Sequence, residues 1–161
     1  VSAATVHGTG SVVFVQRPPL PKTADGFYLR HRDGGLVAHI TATQDTLSDL
    51  RRLARMALLF YGATTDHADT AQLVLSELVG NAVRACGEHH VPLVVEVFTT
   101  VAGVTVTVHD PVPELLPHRG TAAMDSDQAV GGRGLPLLDF LAPGWTITSS
   151  PIGKQIRCDL A

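Results

Sequence analysis

Hydrophobic positions along this chain change period several times, and each change marks an element. Residues 27–31 and 36–41 alternate loosely between apolar and polar around Asp33-Gly34-Gly35, a turn signal that predicts two strands. From Thr46 the period lengthens. Leu47, Leu50, Ala54, Ala57, Leu58 and Tyr61 recur at helical spacing, and Gly62 supplies the stop. A second helix is predicted from Asp66, whose carboxylate can cap free N–H groups, to Ala85. Its core stripe is Ala71, Val74, Leu75, Leu78, Val79 and Ala82, while Leu73, Glu77, Gly80, Asn81 and Arg84 lie on the adjoining face. Leu93–Thr99 and Val104–His109 alternate again, as a hairpin about Val101-Ala102-Gly103. In its second strand Val104, Val106 and Val108 face one way, and Thr105, Thr107 and His109 the other.

Residues 111–130 hold three prolines and no period, and a stretch of that length in a compact domain marks a functional or mobile loop. Leu135–Leu141 predicts a short helix with Pro136 in its first turn, ended by Pro143-Gly144. Thr146–Ser149 and Gln155–Leu160 form a second hairpin over Pro151-Ile152-Gly153. Residues 1–26, with Pro18, Pro19 and Pro21, read as an arm or linker in which Ser11–Val15 is a candidate edge strand. Residues 27–161 form the domain. The order of elements predicts an α+β fold: a two-layer α/β sandwich whose mixed, mainly antiparallel sheet carries helices on one face.

Composition narrows the function classes. A length of 161 residues favours one domain, and 45% apolar with 17% charged residues describes a globular chain. A formal net charge of −3 with scattered Lys and Arg argues against direct nucleic-acid binding. Two cysteines, Cys86 and Cys158, give neither a disulfide framework nor a zinc spacing, and read as small buried residues in a reducing compartment. No apolar run reaches the length of a membrane span, and residues 1–20 lack the basic start and apolar middle of a signal peptide. The expected location is the cytoplasm. Among eight histidines, Glu88-His89-His90 lacks helical two-histidine spacing, so loop or surface histidines are the better reading than a zinc site.

Three short stretches carry candidate chemistry. Glu77-Leu78-Val79-Gly80-Asn81 places a carboxylate and a carboxamide on one helix face. Glu77 can take a proton from an attacking hydroxyl; the blander reading is an exposed helix glutamate. The amide oxygen of Asn81 is a hard ligand suited to magnesium, and an asparagine in mid-helix is mildly unfavourable without a task. Gly80 costs about 1 kcal/mol relative to Ala in a helix interior, which a ligand approaching the backbone or close packing against the sheet would explain. Asp110, at the end of an alternating strand, can accept a hydrogen bond from a purine amine or cap a turn before Pro111. Gly131, Gly132, Arg133, Gly134 and Leu135 open a short helix, where bare backbone N–H groups favour a phosphate. Arg133 can reach that phosphate or face solvent. Neither a P-loop nor a Rossmann fingerprint is present.

The order Glu77-Leu-Val-x-Asn81, then Asp110, then Gly132-Arg-Gly134-Leu resembles the GHKL superfamily of ATP-binding domains, which includes gyrase, heat-shock chaperones and histidine kinases. Within it, the chain is most similar to the small stand-alone anti-sigma-factor serine kinases and related regulators of Gram-positive bacteria. By order of elements the resemblance covers roughly residues 27–160. It implies a histidine-kinase-like ATPase fold, ATP and Mg2+ as cofactors, Glu77 as catalytic base and Asn81 as the metal ligand. It also implies Asp110 as the adenine acceptor, Gly131–Leu135 on the phosphates, and residues 111–130 as the ATP lid. Gly153-Lys154 matches a Gly-Lys common in the family, which adds Lys154 to the nucleotide-binding set. Where a Thr often follows and reaches the adenine through water, this chain has Gln155. Where glycines usually follow the acid, it has Pro111-Val112-Pro113.

The implied partner is a protein, either a sigma factor or an anti-sigma antagonist carrying an acceptor serine, and a homodimer is compatible with this reading. Arg51, Arg52 and Arg55, the one tight basic cluster, are either a solvated helix face or a docking surface for an acidic partner. Two functions stay open: a serine protein kinase, and a non-catalytic module that uses nucleotide to switch partners. The catalytic part of a histidine kinase is a weaker third reading, because residues 1–26 show no helical hairpin with a phosphoacceptor His.

Overall fold

The computed structural model describes residues 2–7, 11–16, 19, 20, 23, 25–86, 90–111 and 134–161. Eleven elements follow one another among them. They are β1 (Ser2–His7), β2 (Ser11–Gln16), β3 (Phe27–Arg32), β4 (Gly35–Ala42), α1 (Gln44–Phe60), α2 (Thr65–Ala85), β5 (Val91–Thr100), β6 (Gly103–Asp110), α3 (Gly134–Leu141), β7 (Thr146–Ser150) and β8 (Gly153–Leu160). The strands from β3 onward form one six-stranded sheet in the order β3-β4-β5-β6-β8-β7, and β1 pairs with β2 in a separate two-stranded sheet. All the pairings are antiparallel, so the expected mixed sheet has no parallel member among the described residues. The arm before residue 27 thus holds a hairpin, of which the alternation had marked only the second strand.

The period of two explains the layers. Leu36, Ala38, Ile40 and Ala42 of β4, Val91, Leu93, Val95 and Val97 of β5, Val104, Val106 and Val108 of β6, and Ile156, Cys158 and Leu160 of β8 are buried in one core. Leu50, Leu53, Ala54, Ala57 and Leu58 of α1 meet them, as do Ala71, Val74, Leu75, Leu78, Val79 and Ala82 of α2. The α2 residues are those expected from helical spacing; on α1 the stripe gains Leu53, while Leu47 and Tyr61 are only partly buried. Helix α2 is central, packing against α1, α3, β5, β6 and β8. Trp145 closes the end of the core beside Leu138, its indole Nε1 donating to Asp139 Oδ1 at 2.7 Å.

Both helix starts differ from expectation by a cap. Helix α1 begins two residues before Thr46, behind a capping box in which Thr46 N donates to Thr43 Oγ1 (3.1 Å) and Thr43 N to Thr46 Oγ1 (2.7 Å). In α2 the cap is Thr64, whose Oγ1 accepts from His67 N at 3.1 Å, and Asp66 sits in the first turn, facing the positive end of the helix dipole.

The sheet face away from the helices is bound by side chains crossing between strands. Arg32 pairs with Glu96 and lies over the Phe98 ring, 3.5 Å from its centroid. Thr105 Oγ1 donates to Asp159 Oδ1 at 2.6 Å, and Arg157 lies 3.2 Å from the same oxygen. The Thr105 hydrogen bond, aided by Arg157 and opposed by burial, holds the Asp159 carboxyl below the usual carboxylate range. A lowered carboxyl stabilises the fold above its unfolded pKa and loses that contribution as pH falls through the folded value. Thr105→Val should therefore lower stability at neutral pH, and the gap to wild type should narrow as pH drops below the ordinary Asp range. Chemical denaturation of both proteins from pH 7 downward measures this, and a gap independent of pH would contradict it.

Candidate functional site

The C-terminal half of α2 and the paired ends of β6 and β8 meet on the helix-bearing side of the sheet. On α2, Glu77 and Asn81 share a face one turn apart, and both are half-buried. Arg84, one further turn along, bends back over Asn81. Its guanidinium donates to Asn81 Oδ1 at 2.5 Å. The amide Nδ2 of Asn81 is shut off from solvent and has no hydrogen-bond partner among the described residues.

Gly80 makes this fold-back feasible. A Cβ there would lie 3.2 Å from Arg84 Nη1, with the rest of the guanidinium close behind. The three nearest atoms to that Cβ all belong to Arg84, so packing against the sheet is not what excludes a side chain there. Arg84 is a neighbour of the candidate residues that the sequence did not single out, although its i,i+3 spacing from Asn81 was the signal.

At the sheet end, Asp110 and Lys154 are cross-strand partners and both side chains are 3% exposed. Lys154 Nζ donates to Asp110 Oδ1 at 3.0 Å. Parity places them there: Asp110 continues the buried row of Val104, Val106 and Val108, and Lys154 the row of Ile156, Cys158 and Leu160. Gln155, by the same parity, lies opposite His109 and Thr148 on the other sheet face. Of the two residues, it is Lys154 that shares the helix-bearing face with Asp110.

Gly153 permits the approach. Its φ is +151°, and a Cβ would fall 2.2 Å from the Asp110 carbonyl oxygen and 2.8 Å from Pro111 Cα. Burial is the main cause raising the thiol pKa of Cys86, the C-cap of α2; the Asp110 charge adds to it, and Lys154 offsets part.

Of the other expected site residues, Gly134 and Leu135 begin α3, whereas Gly131, Gly132 and Arg133 lie outside the described residues, as does the expected lid beyond Pro111. The basic cluster on α1 is partly committed within the chain. Arg55 Nε lies 3.0 Å from Asp69 Oδ1 on α2, and Arg52 lies 3.8 Å from Asp49. Among the described residues no helix is long and apolar enough to cross a membrane.

Glu77 and Asn81 share one face of α2, and both β6, which ends at the buried Asp110, and α3, which opens with Gly134, pack against that helix. Residues 40–159 match the family described as histidine kinase-like ATPase domain. The chain belongs to that family. Its antiparallel sheet with helices on one face is the fold expected of a histidine kinase-like ATPase domain, and ATP is the ligand the family suggests. No curated protein and no solved structure matches the chain.

The residues present fit a magnesium nucleotide in part by an atom already in use. Asn81 Oδ1, the hard oxygen that would ligate the ion, accepts from Arg84, so a metal there has to displace the guanidinium.

Two substitutions test the local geometry. Gly80→Ala meets only the flexible end of the exposed Arg84 side chain and gains helix propensity, so it should stabilise the protein by about 0.5–1 kcal/mol. A lowered melting temperature would show that Arg84 cannot yield. Gly153→Ala meets backbone at a φ that L residues avoid, and should destabilise by roughly 1–3 kcal/mol. Urea denaturation with unchanged stability would contradict the close approach of β8 to β6.

Proposed function

We propose that this histidine kinase-like ATPase domain is a cytoplasmic Mg-ATP-binding regulator. In this reading it binds a protein partner, a sigma factor or an anti-sigma antagonist, and transfers the γ-phosphoryl group to a serine of that antagonist. The observation that carries it is the convergence on α2: Glu77 and Asn81 on its flank, the Asp110–Lys154 pair at its C-terminal end.

Each residue has a role the chemistry defines. Asp110 accepts from the adenine amine, a hydrogen bond to a charged group worth about 1.5–3 kcal/mol. Asn81 holds magnesium through its amide oxygen, and the ion neutralises the phosphates during transfer. Glu77, one turn before Asn81, takes the proton of the attacking serine hydroxyl. The first turn of α3, starting at Gly134, offers backbone N–H groups to the phosphates, joined by Gly131, Gly132, Arg133 and Leu135.

One observation favours the second reading, a nucleotide-dependent interaction module without catalysis. Arg84 engages the oxygen that the metal needs, and a protein cation at that place can hold phosphates without readying them for transfer.

Calorimetric titration with ATP, with and without magnesium, tests the binding claim. Micromolar affinity is expected in wild type, and no detectable heat or competition would remove the nucleotide reading. Asn81→Ala should abolish the magnesium dependence while leaving unliganded stability near wild type. Glu77→Ala should keep Mg-ATP binding and lower transfer to a partner serine by about 100-fold or more. Partners captured with ATP-loaded and ADP-loaded protein supply the substrate. If such a partner never acquires phosphoserine from wild type, the kinase claim fails and the module reading stands.

A further inference from the structure

One part of the sheet face away from the helices is apolar and open. Tyr28, His39 and Val94 stand side by side across β3, β4 and β5, and Pro92, Pro111 and Ile152 complete with them a trough of about 340 Å³. Its rim is apolar and accessible: Tyr28 is 65% exposed, Ile152 is 45% exposed, and both prolines are exposed. A contiguous apolar patch of this kind marks a surface that another element covers.

The β1–β2 hairpin is the complementary case. Two strands by themselves are marginally stable at best in water and need a surface to pack on. Yet β1 and β2 pair only with each other. Their register sets Ala4 opposite Phe14 and Val6 opposite Val12 on one face, and Ala3 opposite Val15 and Thr5 opposite Val13 on the other. Both faces thus carry apolar positions, where a side turned to water would carry polar ones. We propose that the trough is the docking site of this hairpin, from the same chain, which lies across the strands as a second layer.

Size and tether choose this occupant. From β3 past β4, β5 and β6 to β8 the trough crosses four strand spacings, about 19 Å at roughly 4.8 Å each. Each hairpin strand has 6 residues, about 20 Å at roughly 3.3 Å per residue. The connector, residues 17–26, ends at Gly26, which itself lines the trough. Its reach of up to about 33 Å exceeds the breadth of the trough, and its end delivers the hairpin at the rim. A tether this short holds the hairpin at a local concentration that a separate molecule does not match. The contact stands whether or not the domain binds nucleotide.

Amide hydrogen exchange of the whole chain, read residue by residue by NMR, tests the docking. An undocked hairpin opens too readily to protect its amides. In wild type the strand amides of residues 2–16 should exchange at least about tenfold more slowly than in the double variant Tyr28→Thr, Ile152→Ser, while the amides of β5 and β6 keep their protection. Both substituted side chains are exposed, and the β5 and β6 amides report that the sheet is intact. Nuclear Overhauser contacts between residues 2–16 and Tyr28, Val94 or Ile152 give a second reading in wild type, with no substitution at all. Hairpin amides unprotected in wild type, protection that survives the double variant, or absence of those contacts overturns the proposal. So do contacts that arise only between differently labelled molecules in a mixed sample, which assign the trough to a second copy.

Discussion

The register of β8 against β6 is the constraint on which the site depends. It sets Asp110 opposite Lys154 on the helix-bearing face, and it sets Gln155 opposite His109 on the other. A slip of one residue would exchange the two rows and send the acid or its partner to the wrong side. Gly153 protects that register, since its backbone passes so close to the Asp110 carbonyl that no side chain fits. The ion pair then holds the strand ends together in a region of low dielectric, where breaking one member would leave a buried charge uncompensated.

Helix α2 covers these strands: its apolar stripe packs on β5, β6 and β8, and Glu77 and Asn81 stand half-buried beside that stripe. The helix ends at Cys86, whose thiol is influenced by the charges of both members of the pair. The same helix also shows how one residue type can serve two needs. Gly80 weakens the helix locally, yet it gives Arg84 room to lie back and engage Asn81.

That engagement ties the two candidate functions to one atom. Asn81 Oδ1 already accepts from the Arg84 guanidinium, which a metal at that oxygen would have to displace. The α1 arginines are more modest in role: Arg55 braces α1 against α2 through Asp69, as an exposed pair of small energetic weight.

Periodicity alone determined most of the architecture. The stripes of α1 and α2, the alternation of β4, β5, β6 and β8, and the turns at Gly34, Gly62, Gly103 and Gly153 are local signals, because burial repeats every 2 or 3.6 residues. The candidate residues Glu77, Asn81 and Asp110 were legible too, through their order and spacing. Only tertiary structure decided which strand lies beside which, and hence that Asp110 meets Lys154 across a gap of 44 residues in sequence. It also decided that Gln155 lies on the other sheet face, that Thr64 rather than Asp66 caps α2, and that Arg84 donates to Asn81 Oδ1. The reason is physical. Patterns of polarity state which side of an element is buried, but partners in an ion pair or a cap are chosen by distance and angle once the chain has closed on itself.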